Sequence, residues 1–428
     1  MAACGAMIFG LFLAPAHADV APLPGHLDLL LRTYAEELQY LSGARRHAVI
    51  QSARLLYQSE YYSTGSDVSV GVDAGLYGAL RFDGGGGMRN MGHYRYDGTG
   101  PSDHAWAYPG EYALKARLGQ TTVKYGLQSG GDNPFTPPYD IRALPPTFRG
   151  ITMVSTDIPG VKLAAGSFNG VIPRGDDGVR RLSTSYSEVG FDRMSYVGME
   201  TRIGDVKTSF YANHATDLWN QFYGSASKDM AVSEQVMLTG RMDAYLTRAA
   251  GARVGGEIDN RALGLSLTAQ RGPHSVLVGY QAIGGDQFYD YMNETAGIAL
   301  SNAMGVDYNS PHERSGQLRY VFNGDRAGLP GLRLMAFTVQ SHGVDASAGA
   351  AAHGSVDDPL HNLYWKKGQP AHGGRKEWAA KVTYQVQTGA LKDMKIAFYV
   401  YRTRADAFYP GSSFNDSQLM INFPVRVF

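Results

Sequence analysis

Apolar residues in this chain recur at every second position, segment after segment, and no run approaches the roughly 20 consecutive apolar residues that a membrane-spanning helix needs. Leu27, Leu29, Leu31 and Thr33 alternate with His26, Asp28, Leu30, Arg32 and Tyr34. Val68, Val70, Val72, Ala74 and Leu76 share one face, while Ser69, Gly71, Asp73 and Gly75 share the other. The same period returns at Tyr112 to Leu118, Val236 to Asp243, Leu263 to Gln270, Gln317 to Phe322 and Glu377 to Val386. Near the C-terminus Leu419, Ile421, Phe423, Val425 and Val427 again fall on one face. A period of two sends successive side chains to opposite faces of a strand. With weaker segments at Thr121 to Gln128, Lys162 to Phe168, Ser195 to Thr201 and Val206 to Asn213, the pattern predicts about 18 strands.

Connections between these segments alternate in length. Gly204-Asp205, Gly324-Asp325 and Thr388-Gly389 read as tight turns, whereas Gly84 to Pro109, Gln128 to Thr147, Gly285 to Pro311 and Gly343 to Arg375 read as long loops. Short turns on one rim and long loops on the other are the habit of a barrel in a membrane. Backbone in lipid must pair every polar group, and strands achieve that only by closing. The expected fold is therefore all-β, a single transmembrane antiparallel β-barrel over residues 19–428. A soluble propeller or sandwich would also alternate, but with its apolar face inward and no need of secretion. Residues 1–18 favour the membrane barrel. An apolar run from Met7 to Ala14 leads to Ala16-His17-Ala18, a small-x-small cleavage pattern, although no Lys or Arg precedes the run.

Composition narrows function. Hydrophobic residues are 44% and charged residues 18%, too apolar for disorder. The formal net charge is zero, so no global field favours nucleic acid. The single cysteine, Cys4, lies in the predicted signal segment, which excludes disulfides and thiolate metal sites from the mature chain. No Gly-x-Ser-x-Gly, His-Glu-x-x-His or convincing paired-His spacing is present, so no enzyme, cofactor or metal centre is expected. The run Gly84 to Gly87 lacks the Lys and hydroxyl of a phosphate loop and reads as a loop tip.

Gln128 to Gly150, QSGGDNPFTPPYDIRALPPTFRG, is unusual for its length and proline content, with a charged triplet Asp140-Ile141-Arg142 at its centre. Between neighbouring strands of a barrel, such a loop can fold into the lumen and set its width. Lipid fixes the outward apolar parity, so lumen chemistry belongs to the other. By that count Arg32, Arg54, Lys115, Arg117, Lys124, Arg241, Arg319 and Lys381 point inward, against the fewer acids Asp28, Glu60, Asp73, Asp243 and Glu377. Each cation has two readings, a solute contact or a brace to a lumen acid. For Asp28 with Arg32, and for Arg241 with Asp243, two to four residues apart on one face, the brace is preferred. For Arg142 a solute contact is preferred, because a guanidinium fork matches a carboxylate. Arg149 borders the same loop. Asp132, Asp140 and Asp307 could hold an ammonium or simply form turns, and Tyr139 and Tyr308 could flank the channel or pack the loop.

Several stretches carry a family resemblance. Asp140-x-Arg142-x-Leu144-Pro145-x-Thr147-Phe148-Arg149-Gly150 resembles the loop-to-strand signature of the OprD-like outer-membrane porins. Gly256-Glu257-Ile258-Asp259-Asn260-Arg261-Ala262, Glu313-Arg314-Ser315, Gly328-Leu329-Pro330-Gly331-Leu332, Lys376-Glu377-Trp378 and Leu391-Lys392-Asp393 are similar to that family's, in the same order. The resemblance implies an 18-stranded channel in the outer membrane of a Gram-negative bacterium, its third external loop folded in as a constriction. It implies a lumen row of arginines and lysines guiding carboxylates, and raises Arg261 and Arg314 as wall or rim candidates. The expected function is passive, selective diffusion of small carboxylate-bearing or zwitterionic solutes, amino acids or aromatic and aliphatic acids. An outer-membrane barrel enzyme or an adhesin is the alternative. Family members behave as monomers or loose trimers, and Phe428 fits a signal for the barrel-assembly machinery.

Overall fold

A computed structural model describes residues 24–65, 67–83 and 103–428. The predicted signal segment, Cys4 and the Gly84 to Gly87 run lie outside the described residues. One antiparallel sheet of 19 strands dominates, and the two-residue strand Tyr62–Ser63 only extends a turn, leaving 18 wall strands. In chain order these are β1 Gly25–Tyr40, β2 Arg45–Ser59, β3 Val68–Asp83, β4 Ala105–Leu118, β5 Thr121–Gln128 and β6 Thr147–Ser155. There follow β7 Val161–Ile172, β8 Met194–Ile203, β9 Val206–Ala215, β10 Trp219–Ser233, β11 Val236–Ala249 and β12 Asp259–Arg271. The last six are β13 His274–Gly284, β14 Arg314–Asn323, β15 Leu332–His342, β16 Arg375–Gln385, β17 Lys395–Ala405 and β18 Phe414–Arg426.

Each wall strand pairs with the next, and β18 pairs back onto β1 from Asp28↔Arg426 to Tyr40↔Phe414, which closes the barrel. Closure removes the sheet edges that lipid would not tolerate. Outward residues are the apolar parity. In β12, Leu263, Leu265 and Leu267 are exposed, while Asn260 and Ala262 on the other face are buried. A large exposed apolar belt is unfavourable in water and costs nothing against acyl chains.

The core of this molecule sits inside the barrel, between the wall and loops that fold in. Residues 129–146 lie across the lumen. Phe135 meets Tyr245 of β11 at 6.2 Å between ring centroids, and Tyr245 Oη donates to the Pro134 carbonyl at 3.3 Å. Farther along, Ala143 and Leu144 are buried with Tyr34, Ile50 and Tyr77 of β1 to β3. Prolines at 134, 137, 138, 145 and 146 suit this path, since they need no backbone donor partner. A second segment, 285–313, also folds inward. Its Tyr289, Tyr291, Met292, Ile298 and Leu300 pack with Tyr211, Tyr223 and Tyr245 of the wall. Gly264 and Gly279 make room for it, because a Cβ there would lie 3.0 Å from Leu300 and 2.8 Å from Ser301 and Asn302.

Candidate functional site

The centre of the 129–146 segment is held by charge. Asp140 receives a fork-to-fork pair of hydrogen bonds from Arg32 on β1, the Nη2 to Oδ2 bond being 3.0 Å. Arg54 Nη2 on β2 adds a third at 2.8 Å. Arg32 is aligned by two further acceptors, Asn422 Oδ1 on β18 and the Arg142 carbonyl, both at 2.6 Å. Burial pushes the Asp140 carboxyl up, but the hydrogen bonds and charges of Arg32 and Arg54 outweigh it and hold the group below its ordinary range. Bracing of Arg32 by Asp28 does not occur, because the loop carboxylate takes Arg32 while Asp28 pairs with Arg426 at 3.3 Å across the β1–β18 junction. Arg142 itself turns to Tyr34, donating to its hydroxyl at 3.1 Å, and its Nε is buried without a partner.

Strand parity sorts the remaining candidates. Lys115 and Lys124 both clamp Asp73 of β3, at 2.7 and 2.6 Å. Arg241 is bonded to Asp243 at 2.6 Å, and Arg117 lies over the Tyr61 ring at 4.5 Å. Arg319 on β14 and Lys381 on β16 face the lumen with different company. Arg319 Nη1 meets only the Met304 sulfur at 3.5 Å, and Lys381 Nζ lies over the Tyr399 ring at 4.1 Å. Arg333 of β15 shares the inward parity of Phe337 and Val339, and lies near enough to repel Arg319 and Lys381. Among the described residues, no salt bridge reaches Arg319, Arg333 or Lys381.

Five further expectations need correction. Arg261 has the parity of Leu263 and Leu265, and Arg314 that of Leu318 and Tyr320, so both stand on the outward face. Arg149 is exposed on the side of β6 opposite the buried Phe148, bonded to Asn169 Oδ1 at 2.9 Å. None of the three reaches the constriction. Asp307 accepts from Tyr186 and Tyr291 at 2.8 and 2.6 Å, and Tyr308 is fully buried with its hydroxyl on Glu377 at 3.1 Å. These two fasten the 285–313 segment to its surroundings instead of facing solute. Nearby, Gly305 abuts Tyr401 of β17, where a Cβ would come within 2.6 Å of the ring. Among the described residues no group of three His, Cys, Asp or Glu side chains could hold a metal ion.

A sequence model of the outer membrane porins of the OprD family matches residues 25–427. The chain belongs to the OprD family. This porin is 26% identical over 417 residues to Porin D of Pseudomonas aeruginosa, covering 94% of this chain and 90% of that one. It is 28% identical over 438 residues to the porin-like protein GalP of Pseudomonas putida, covering 97% and 98%. The crystal structure of Pseudomonas aeruginosa OccD3 (OpdP) superposes with a TM-score of 0.82 at 27% identity, covering 94% of this chain and 92% of that one. That of OpdK from the same organism, solved with vanillate, gives a TM-score of 0.81 at 24% identity, covering 94% and 98%. The porin is an outer-membrane channel with a closed 18-strand wall.

Among the described residues, the lumen cations Arg333 and Arg375 of this porin escaped the sequence reading. Arg333 stands one place before the alternating Leu334 to His342 run, and Arg375 opens β16 two places before Glu377. Both have the inward parity that selected Lys381, which was the available signal. Arg375 is buried between the rings of Tyr308 and Tyr409, each 4.9 Å away, and donates to the Asp307 carbonyl.

Proposed function

We propose that this porin passes small carboxylate-bearing solutes by diffusion through the lumen. One observation carries the reading. Arg319, Arg333 and Lys381 sit on three successive wall strands, face inward, and have no acid partner among the described residues. Other lumen cations, Lys115, Lys124 and Arg241, are each held by a wall acid, the two lysines sharing Asp73 and Arg241 taking Asp243. A solute carboxylate is the missing counter-charge. Three adjacent cations with an aromatic ring at Tyr399 offer a series of weak sites, strong enough to draw an anion in and weak enough to release it. The fold-sharing porin solved with vanillate holds a carboxylate, but at 24% identity it shares the fold alone, so the reading rests on this chain's own charges.

The test is benzoate influx into liposomes holding the purified porin, beside the reversal potential in a KCl gradient. The Arg319→Gln, Lys381→Gln double variant is expected to slow influx roughly thirtyfold and to lower anion preference, on the scale of about 1 kcal/mol per charge in a wet lumen. Unchanged influx and unchanged reversal potential would sink the proposal.

A further inference from the structure

We propose that the cradle formed by Arg32, Arg54 and Asn422 is a carboxylate-binding site whose resident ligand is the chain's own Asp140, and that a passing solute carboxylate exchanges with it. The inference rests on the carboxylate reading above and deepens it.

Three features set this contact apart from a simple brace. The first is preorganisation. Arg32 is 5% exposed at its side chain, and its Nε and Nη1 are bonded to Asn422 and to the Arg142 carbonyl, neither of which is Asp140. Its fork stays aimed when Asp140 leaves, as a built site for a planar anion requires. The second is the charge balance. Two guanidinium groups meet one carboxylate, so the occupied cradle keeps one positive charge and still attracts an anion. A second carboxylate brings the sum to zero, which makes an exchange through a doubly occupied state the low-cost route. Asp140 is the most open of the three, its side chain 33% exposed against 13% for Arg54. An incoming group therefore meets the carboxylate side of the cradle first.

The third is that the loop does not depend on this tie. Ser52 Oγ donates to the Ala143 carbonyl at 2.6 Å, Ala143 and Leu144 are each only 2% exposed, and Phe135 is packed on Tyr245. Release of Asp140 leaves the loop anchored on both sides of it. The ligand class follows from the donors: a small monocarboxylate or the carboxylate end of a zwitterion, presented to two converging guanidinium groups.

The experiment is block of the single-channel KCl current by added sodium benzoate in planar bilayers. Asp140→Asn keeps side-chain volume and removes the competing charge, so half-block is expected at a benzoate concentration at least tenfold lower than in the unaltered porin. Arg54→Gln leaves the Arg32 fork on Asp140 and should raise the half-blocking concentration several-fold. A D140N channel with the same benzoate dependence would overturn the exchange. So would a D140N channel of several-fold larger conductance that benzoate no longer blocks, because Asp140 would then be a brace. If D140N fails to insert, R54Q decides, and an unchanged half-blocking concentration there rejects the site. An unaltered porin that benzoate neither enters nor blocks would instead refute the carboxylate reading itself.

Discussion

At the scale of single residues the chemistry turns on which cations are left without an acid. Asp140 is the group whose protonation the 129–146 loop should feel. Its carboxyl is held below the ordinary range by Arg32 and Arg54, which outweigh its burial. Such a depressed group contributes stability that is fully present above the unfolded value, about 3.9, and is lost as pH falls through the lower folded value. The part of the open-channel noise that comes from Asp140 should therefore rise only below about pH 4, and Asp140→Asn should remove that component. Residue-level legibility was uneven for physical reasons. Lys381 and Arg319 could be placed inward because their strands alternate cleanly against lipid. Arg261 and Arg314 carry the parity of the leucines after them, yet they stand at strand starts, where a bulge could flip a side chain and motif likeness suggested the lumen. Arg333 went unnoticed because its inward neighbours Phe337 and Val339 are apolar. They are apolar because an inward loop covers them, so the inner face there does not look polar.

At the scale of elements, two inward segments share the task expected of one. The 129–146 loop could be recognised by its prolines and its charged triplet. The 285–313 segment could not, since its tyrosines, asparagines and glycines read equally well as an external loop until Gly264 and Gly279 are seen to yield space for it. It is tied to the 173–193 connection by Asp290, whose carboxylate accepts from the backbone N–H groups of Ser185, Tyr186 and Ser187 at 3.0, 3.0 and 2.9 Å. The Ser187 hydroxyl and the Tyr291 N–H add two more bonds, at 2.7 and 2.8 Å. An amide has one acceptor oxygen and cannot satisfy five donors. Asp290→Asn should weaken this tie by roughly 3 kcal/mol. Hydrogen exchange at residues 185–187 should then quicken by about a hundredfold on that scale, with the wall strands unchanged.

At the scale of the molecule, the fold was the most legible level, because lipid imposes a single parity on every strand and the barrel has to close. Selectivity does not come from net charge, which is zero. On the function proposed above it comes from a local, wet row of cations, and such a field is screened over about 10 Å at 0.1 M salt and about 3 Å at 1 M. The anion preference measured from reversal potentials is accordingly expected to fall steeply between about 0.1 and 1 M KCl. Persistence of the full preference at high salt would point to buried, unscreened contacts instead.

The β1–β18 junction carries a consequence for assembly. Arg32 lies on one side of that seam and Asn422 on the other, 390 positions apart along the chain. The fork that grips the constriction loop is thus completed only when the final strand docks against the first. Until then the loop's carboxylate faces an incompletely aimed arginine, so the filter matures in the same step that seals the wall.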